Sequence, residues 1–547
     1  MSFLADHLII TPILLPLLAG AAMLLVNDRH YRLRAALGLV STLALLVIAI
    51  MLVQLADVPA GDASLGRAYL LGNWPIPVAI VLVVDRLSAL MLTLSAVLAL
   101  CMQIYALARW HRAGLHFHSL VQFLLMGLNG AFLTGDLFNL FVFFEVLLAA
   151  SYSLVLHGAG QQRVEAGLKY IAINLAASLL FLIGVSMIYG VTGPLNMADL
   201  AMRLPDIASA DRPLLEVGAA ILAVAFLVKA AIWPLGLWLP NTYGAASAPV
   251  AAMFVIMSKV GIYAVLRVWM LVFGPHAGAS AYFGGDWLLY AGLATVTVAA
   301  IAVLATQDSK QLAGHSLLVS SGTLLAAIGT GQAGVVGAAL FYLISSSLGI
   351  GAFYLLIELT ERNKTAGADI LAVTWEAFGE ADDVLPGEEE VGVAIPATMA
   401  LLGISFILCA LLIAGLPPVS GFIAKFALLT AAFNPEGLGA TGEPISTTGW
   451  LLLAALLLSG LTALIALARA GMKIFWMPAS TRVPRVRLIE MAPIGTLLIL
   501  CMVLTVQAGP VLRYTQAAAE ELFAPESYVE SVFGAPRAGE LPQEAEL

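Results

Sequence analysis

The chain has 547 residues, of which 61% are apolar and only 11% charged, and its mean hydropathy is +0.98; soluble globular proteins carry about 25% charged residues, so a soluble fold is excluded. Much of the net charge of −9 sits in Glu361 to Glu390 and in the tail after Tyr514, and no basic cluster with interleaved aromatics offers a nucleic-acid surface. Cys101, Cys409 and Cys501 stand singly in apolar stretches, without the paired spacing of zinc or iron–sulfur sites, so no cofactor is expected.

Apolar stretches of eighteen or more residues recur from end to end, each long enough to cross a hydrocarbon core of about 30 Å. They predict an all-α polytopic membrane protein of about fourteen spans, near 8–26, 35–55, 78–107, 117–134, 137–157, 167–190, 214–239, 248–272, 287–306, 314–330, 333–359, 397–433, 451–470 and 492–510. The first has no positive segment before it, unlike a cleavable signal peptide, and is expected to be retained. The loop after span one holds Arg29, Arg32 and Arg34, and later odd-numbered loops hold Arg109, Arg112, Arg163, Lys310, Arg362, Lys364, Arg469, Lys473, Arg482, Arg485 and Arg487. Even-numbered loops hold Arg67, Arg203 and Arg212. The positive-inside rule then makes the odd loops cytoplasmic and puts both termini outside.

An acidic loop over 360–396, with the turn signal Leu385-Pro386-Gly387, reads as a solvated segment or as a docking element for a neighbouring protein of a complex. The tail over 511–547, with Pro525, Pro536 and Pro542 among acidic residues, has the composition of a disordered end.

Four charges fall inside the spans: Glu145, Lys229, Lys259 and Lys425. Each costs about 2.5–3.5 kcal/mol at the centre of a spanning helix, so it persists where the bundle pairs or hydrates it. A glutamate and a lysine could form a silent pair that only fixes packing, but one carboxylate cannot cancel three lysines. Burial lowers a lysine pKa by up to roughly 3–5 units, and a carboxylate about 4 Å away opposes this by roughly 3 units. The two effects are comparable, so moving the carboxylate can load or unload the lysine, as a proton pump or antiporter requires. Asp85, Arg86 and Asp136 read more simply as interfacial charges.

Lys229 is followed by Pro234 and Pro240, and Lys425 is preceded by Pro417, Pro418 and Gly421. Proline removes a backbone hydrogen bond, and freed carbonyls are tolerated in lipid only where protein or a wet cavity covers them. Spans seven and twelve are thus expected to be broken, in corresponding positions of two inverted five-helix repeats, 117–272 and 287–470. Between the halves, His315, Ser316, Ser320 and Ser321 in span ten, with Tyr342 and Ser345 to Ser347 in span eleven, could hold a water wire. Such serines are more often packing devices. His315 has the unperturbed pKa of a relay, about 6.5, or is a satisfied interhelical histidine.

The stretch Asn129-Gly130-Ala131-Phe132-Leu133-Thr134-Gly135-Asp136-Leu137-Phe138-Asn139-Leu140-Phe141-Val142-Phe143-Phe144-Glu145-Val146 strongly resembles the span four–five signature of the antiporter-like family. That family includes the large antiporter subunits of respiratory complex I and the A-type and D-type subunits of Mrp cation/proton antiporters. The likeness runs from Asp85-Arg86-Leu87-Ser88 through Lys229, Pro234, Lys259 and Asp308-Ser309-Lys310 to Gly421-Phe422-Ile423-Ala424-Lys425-Phe426, and within the family it is greatest to the D-type Mrp chains. The resemblance implies one membrane domain over 1–510 with broken spans seven and twelve, and a Glu145–Lys229 pair coupled through Lys259 and a span-ten or eleven relay to Lys425. It also implies a bacterial inner-membrane complex with an A-type antiporter-like subunit and small subunits, exchanging protons for sodium or another monovalent cation. Complex I subunits often carry histidine and lysine in span eleven; with Tyr342 and Ser345 to Ser347 there instead, His315 and bound water would have to complete the path. The same charged axis would also suit a proton-pumping arm of a quinone-linked or hydrogenase-linked oxidoreductase. A scaffold that only seals a complex is disfavoured by the uncompensated lysines.

Overall fold

A computed structural model describes residues 7–57, 67–76, 78–114, 116–158, 160–378, 397–434, 446–476 and 486–535, without the side chains of residues 28 and 363–378. Among the described residues the fold is nineteen α-helices, short 3-10 and π turns and one small hairpin. Helices α1 (Thr11–Leu25) and α2 (Tyr31–Ala56) precede strands β1 (Ala68–Leu70) and β2 (Val81–Val83), which pair antiparallel with Tyr69 opposite Leu82. Helix α3 (Arg86–Ala106) starts where Asp85 and Ser88 close a reciprocal capping box, satisfying backbone donors that have no partner within the helix. Residues 78–85, expected within span three, are therefore strand, turn and cap.

Next come α4 (Phe117–Leu133), α5 (Leu137–Val155), α6 (Gln161–Thr192), the short α7 (Met197–Arg203), α8 (Arg212–Lys229), α9 (Trp238–Ala245) and α10 (Ala248–Val272). They are followed by α11 (Gly285–Ala305), α12 (Ser309–Gly329), α13 (Ala333–Phe378), α14 (Ala397–Ala414), α15 (Ser420–Phe433) and α16 (Thr447–Gly471). Eleven of the described helices are long and apolar enough to cross a membrane, and Thr11–Leu25, Phe117–Leu133 and Ser420–Phe433 are shorter apolar helices. Helices α10 and α13 are enclosed almost all round, whereas α2 and α14 show most of their surface outward. A helix hidden from lipid on every side can hold charge that a peripheral one cannot.

Both expected breaks are present. After Lys229, Ala231 turns left-handed (φ 57°), its N–H reaches the Val228 carbonyl at 3.1 Å and the Ile232 N–H reaches Leu227 O at 3.0 Å, the bond pattern of a Schellman cap. After Ala414, Gly415 turns left-handed (φ 76°), and the Leu416 N–H reaches Leu411 O at 3.0 Å. Each left-handed residue is followed, at the same distance in sequence, by a cis X–Pro bond, Trp233–Pro234 and Pro417–Pro418.

Helix α17 (Leu488–Val506) leads into α18 (Ala508–Phe523) and α19 (Glu526–Phe533). The tail is thus helical as far as Phe533, contrary to its disordered composition, because α18 and α19 bury Ala518, Ala519, Leu522, Tyr528 and Val532 against the bundle. Residues 379–396, with the acidic turn at Leu385, and the last residues, 536–547, lie outside the described residues; α13 itself continues to Phe378.

Candidate functional site

Glu145 lies mid-way along α5, half-buried, and its carboxylate accepts a short hydrogen bond from Ser178 of α6. Lys229, the last residue of α8, holds Nζ 4.9 Å from the ring centroid of Phe144, a cation–π contact. Among the described residues no carboxylate comes within 4.0 Å of Lys229, so the two charges of this half are neighbours and not a closed ion pair. Beside Lys229 lies a cavity of about 30 Å³ lined by Phe144, Tyr170, Asn174, Lys229, Trp238 and Met257; about 10–15 Å³ on this measure holds one water. The Val228 carbonyl at the break also accepts from the Trp238 indole N–H at 3.3 Å.

Lys259, on the enclosed helix α10, is 0% exposed. Its ammonium donates to Ser320 Oγ at 2.8 Å and Ser321 Oγ at 3.2 Å, both on α12. The Ser320 and Ser346 hydroxyls then meet at 2.9 Å, joining α12 to α13. Ser345, beside it in sequence, bonds Ser420 at 2.8 Å, at the start of α15. Ser345 and Ser346 share a cavity of about 20 Å³ with Ser316, Tyr342 and Ser459. Each hydroxyl is both donor and acceptor, so the row can pass a proton with water where a single serine could only pack.

Lys425, on α15, donates to the Ala414 carbonyl at 2.9 Å, the last carbonyl of α14. The break makes this possible: Gly415 takes a φ that disfavours side chains, and a Cβ on it would stand 2.6 Å from Lys425 Cδ. Of the five residues expected to transfer protons, Lys259 heads a row of serine hydroxyls that ends at Ser420, on the half-helix that carries Lys425, and Lys229 stacks on Phe144, the residue next to Glu145. His315 is joined to neither: its Nδ1 is buried with no hydrogen-bond partner among the described residues, and Ser316, not His315, lines the central cavity.

A second polar cluster was not legible as such. Asp85, 5% exposed, forms a two-pronged ion pair with Arg267 of α10, itself 4% exposed. Arg267 also lies 5.4 Å from the Tyr528 ring centroid. Close by, Glu521 of α18 accepts from Arg67 at 3.0 Å and Arg86 at 3.4 Å, and Arg86 pairs with Asp57 at 3.2 Å. Asp85 is therefore buried and paired, a correction to its reading as an interfacial charge. The missed partner, Arg267, was the signal: a basic residue inside the last turns of an apolar helix calls for a carboxylate.

Comparison with known proteins agrees with this architecture. A family model described as NADH:quinone oxidoreductase/Mrp antiporter, TM, matches residues 134–376. The chain is 56% identical to a Rhizobium meliloti (strain 1021) protein named as the D-type subunit of a probable K(+)/H(+) antiporter, over 98% of this chain and 99% of that one. It is 31% identical to an Alkalihalophilus pseudofirmus protein named as the D-type subunit of a Na(+)/H(+) antiporter, over 96% of this chain and 99% of that one. A chain in the structure of the Mrp complex from Dietzia sp. DQ12-45-1b has the same fold, with a TM-score of 0.77 at 24% identity over 97% of this chain and 100% of that chain. With these relatives matched almost end to end, the chain belongs to the D-type family of Mrp antiporter subunits, within the wider antiporter-like membrane proteins shared with NADH:quinone oxidoreductase.

Proposed function

We propose that this chain is the proton-translocating membrane subunit of a bacterial multisubunit antiporter that exchanges protons for a monovalent cation, working in the cell membrane with an A-type antiporter-like subunit and small subunits, both termini outside. Its relatives are named for potassium and for sodium, so the cation is one of these. The observation that carries the reading is Lys259, fully buried with no carboxylate within 4.0 Å among the described residues, and held by Ser320 and Ser321 at the head of a hydroxyl row that reaches Ser420, on the same half-helix as Lys425.

In this reading residues 117–272 and 287–470 act as two inverted repeats, each with a broken helix beside its lysine. Glu145 sets the charge of Lys229, which stacks on the neighbouring Phe144; a change there is felt at Lys259, and the serine row with cavity water carries the proton to Lys425, where the α14 carbonyl end stabilises the ammonium. The chain's chemistry is transfer across the membrane, without a covalent step. The test is Glu145→Gln in the complete complex, in everted vesicles, with proton movement read by dye quenching on adding sodium or potassium. Exchange is expected to be lost with assembly intact; wild-type exchange would overturn the reading. Purification with flavin-bearing or iron–sulfur-bearing subunits would instead make the chain a proton-pumping arm of an oxidoreductase.

A further inference from the structure

Away from the line between Glu145 and Lys425, helices α2, α3 and α4 enclose another polar cluster. Gln103 Nε2 donates to Thr42 Oγ1 at 2.6 Å. Gln122 Nε2 donates to the same hydroxyl at 3.0 Å and to the Gly38 carbonyl at 3.1 Å, and Ser41 donates to Gln122 Oε1 at 2.8 Å. Three further atoms here are buried with no hydrogen-bond partner among the described residues: both ring nitrogens of His118 and Gln103 Oε1. His118 is only 4% exposed.

A buried polar atom left unsatisfied costs about 1–3 kcal/mol. Groups of this kind are matched in native proteins by ordered water, which takes two to four polar partners. Gly38 brings two of the three atoms to one point: a Cβ there would meet Gln103 Oε1 at 3.2 Å and His118 Nδ1 at 3.4 Å. A water bridging acceptor and ring nitrogen would satisfy both. Toward the basic end of these helices the cluster reaches the surface, since the His111 ring lies 5.9 Å from His118 and the Tyr31 ring 6.0 Å from His111, and Arg112 donates to Tyr31 Oη at 2.9 Å. The titratable groups nearest His118 are thus His111 and, behind Phe117, His157.

We propose that this cluster holds ordered water and admits protons from the face carrying Tyr31, His111 and Arg112, with His118 as the passing residue, as an entry separate from the line between Glu145 and Lys425. One ring nitrogen of His118 takes a proton from water as the other gives one up, so the imidazole returns to its starting charge. The proton role rests on the proposed function; the hydration does not.

Two measurements on the assembled complex in vesicles test it. In a background with Cys101, Cys409 and Cys501 replaced by alanine, the Thr42→Cys and Leu45→Cys variants are exposed to silver ion. The thiol at position 42 is expected to react at least about tenfold faster than the one at 45, where the native Leu45 is buried among apolar neighbours, and Gly38→Ala should slow it; equal rates would overturn the hydration. His118→Gln, which cannot titrate, is expected to cut exchange several-fold and shift the midpoint of its pH profile, whereas an unmoved profile at wild-type rate would overturn the proton role. If Glu145→Gln retains exchange while the thiol at 42 stays reactive, the proposed function fails and the hydrated cluster stands.

Discussion

Lys425 Nζ lies 2.9 Å from the carbonyl oxygen of Ala414, so the ammonium of one half-helix caps the open end of the other. The carbonyl end of a helix carries a partial negative charge and favours a cation, and no carboxylate among the described residues is within 4.0 Å to take that role. Lys425→Ala should lower exchange at least about tenfold, a change of ~1.4 kcal/mol. Lys310→Ala, at the first turn of α12, should stay near wild type. Vesicle exchange assays on both variants, normalised to assembled complex, check this; equal effects would remove the reason for singling out Lys425.

Among the described residues, Lys259 donates to two hydroxyls, Ser320 and Ser321. Either Ser320→Ala or Ser321→Ala should leave one bond and partial exchange. The double replacement strands a buried ammonium, which should cost about 1–3 kcal/mol or more and abolish exchange. Thermal unfolding of the purified complex reads the first effect and vesicle assays the second. A double variant with normal stability and transport would show that Lys259 is satisfied in another way.

Ser178 donates to Glu145 without altering its charge. Ser178→Ala should therefore reduce exchange only a few-fold, Glu145→Asp should keep part of it, and Glu145→Gln should lose it all. The ordering is the diagnostic: if Ser178→Ala were as severe as Glu145→Gln, the hydrogen bond and not the charge would matter.

His315 stands outside the serine row. His315→Gln is expected to keep exchange within about twofold and leave the midpoint of the pH profile in place, as a packing residue would. A shifted midpoint in the same vesicles would put the imidazole back in the path.

Asp85 sits at the cap just before α3. Burial pushes its carboxyl up, but the Arg267 guanidinium outweighs this and holds it below the usual range. A carboxylate so depressed gives stability that is present above its unfolded pKa and is lost only as pH falls through the lower folded value, so the contact should not weaken between neutral and alkaline pH. Asp85→Asn leaves Arg267 buried without its counter-charge and should cost about 3 kcal/mol, whereas replacing both by apolar residues should restore much of that. Melting temperatures of the three variants decide between a pair that stabilises and one that only specifies packing.

The fold was legible where a single physical demand acts on one segment. Hydropathy marked the spans, and prolines marked the two breaks, because a helix can do little else at Trp233-Pro234 or Pro417-Pro418. The buried lysines were legible for the same reason, being costly alone. What stayed hidden was pairing across the chain: that Ser320 faces Ser346, that Arg267 takes Asp85, and that Lys425 caps Ala414 are set by which helices touch. The tail misled because its charges dominated its composition, while apolar residues such as Ala519, Leu522 and Val532 fall on one side of short helices and are buried.

The bridge from Glu521 to Arg67 and Arg86 has a bearing on biogenesis. Glu521, which bridges Arg67 and Arg86 at the start of α3, lies more than four hundred positions later, so a ribosome must finish nearly the whole polypeptide before that bridge can close. Until then Arg86 has its local partner Asp57 but not the Glu521 carboxylate, and non-local closures of this kind are slow. Translation stalled before α18 would leave an open intermediate that lacks the Glu521 bridge, a natural handle for quality control.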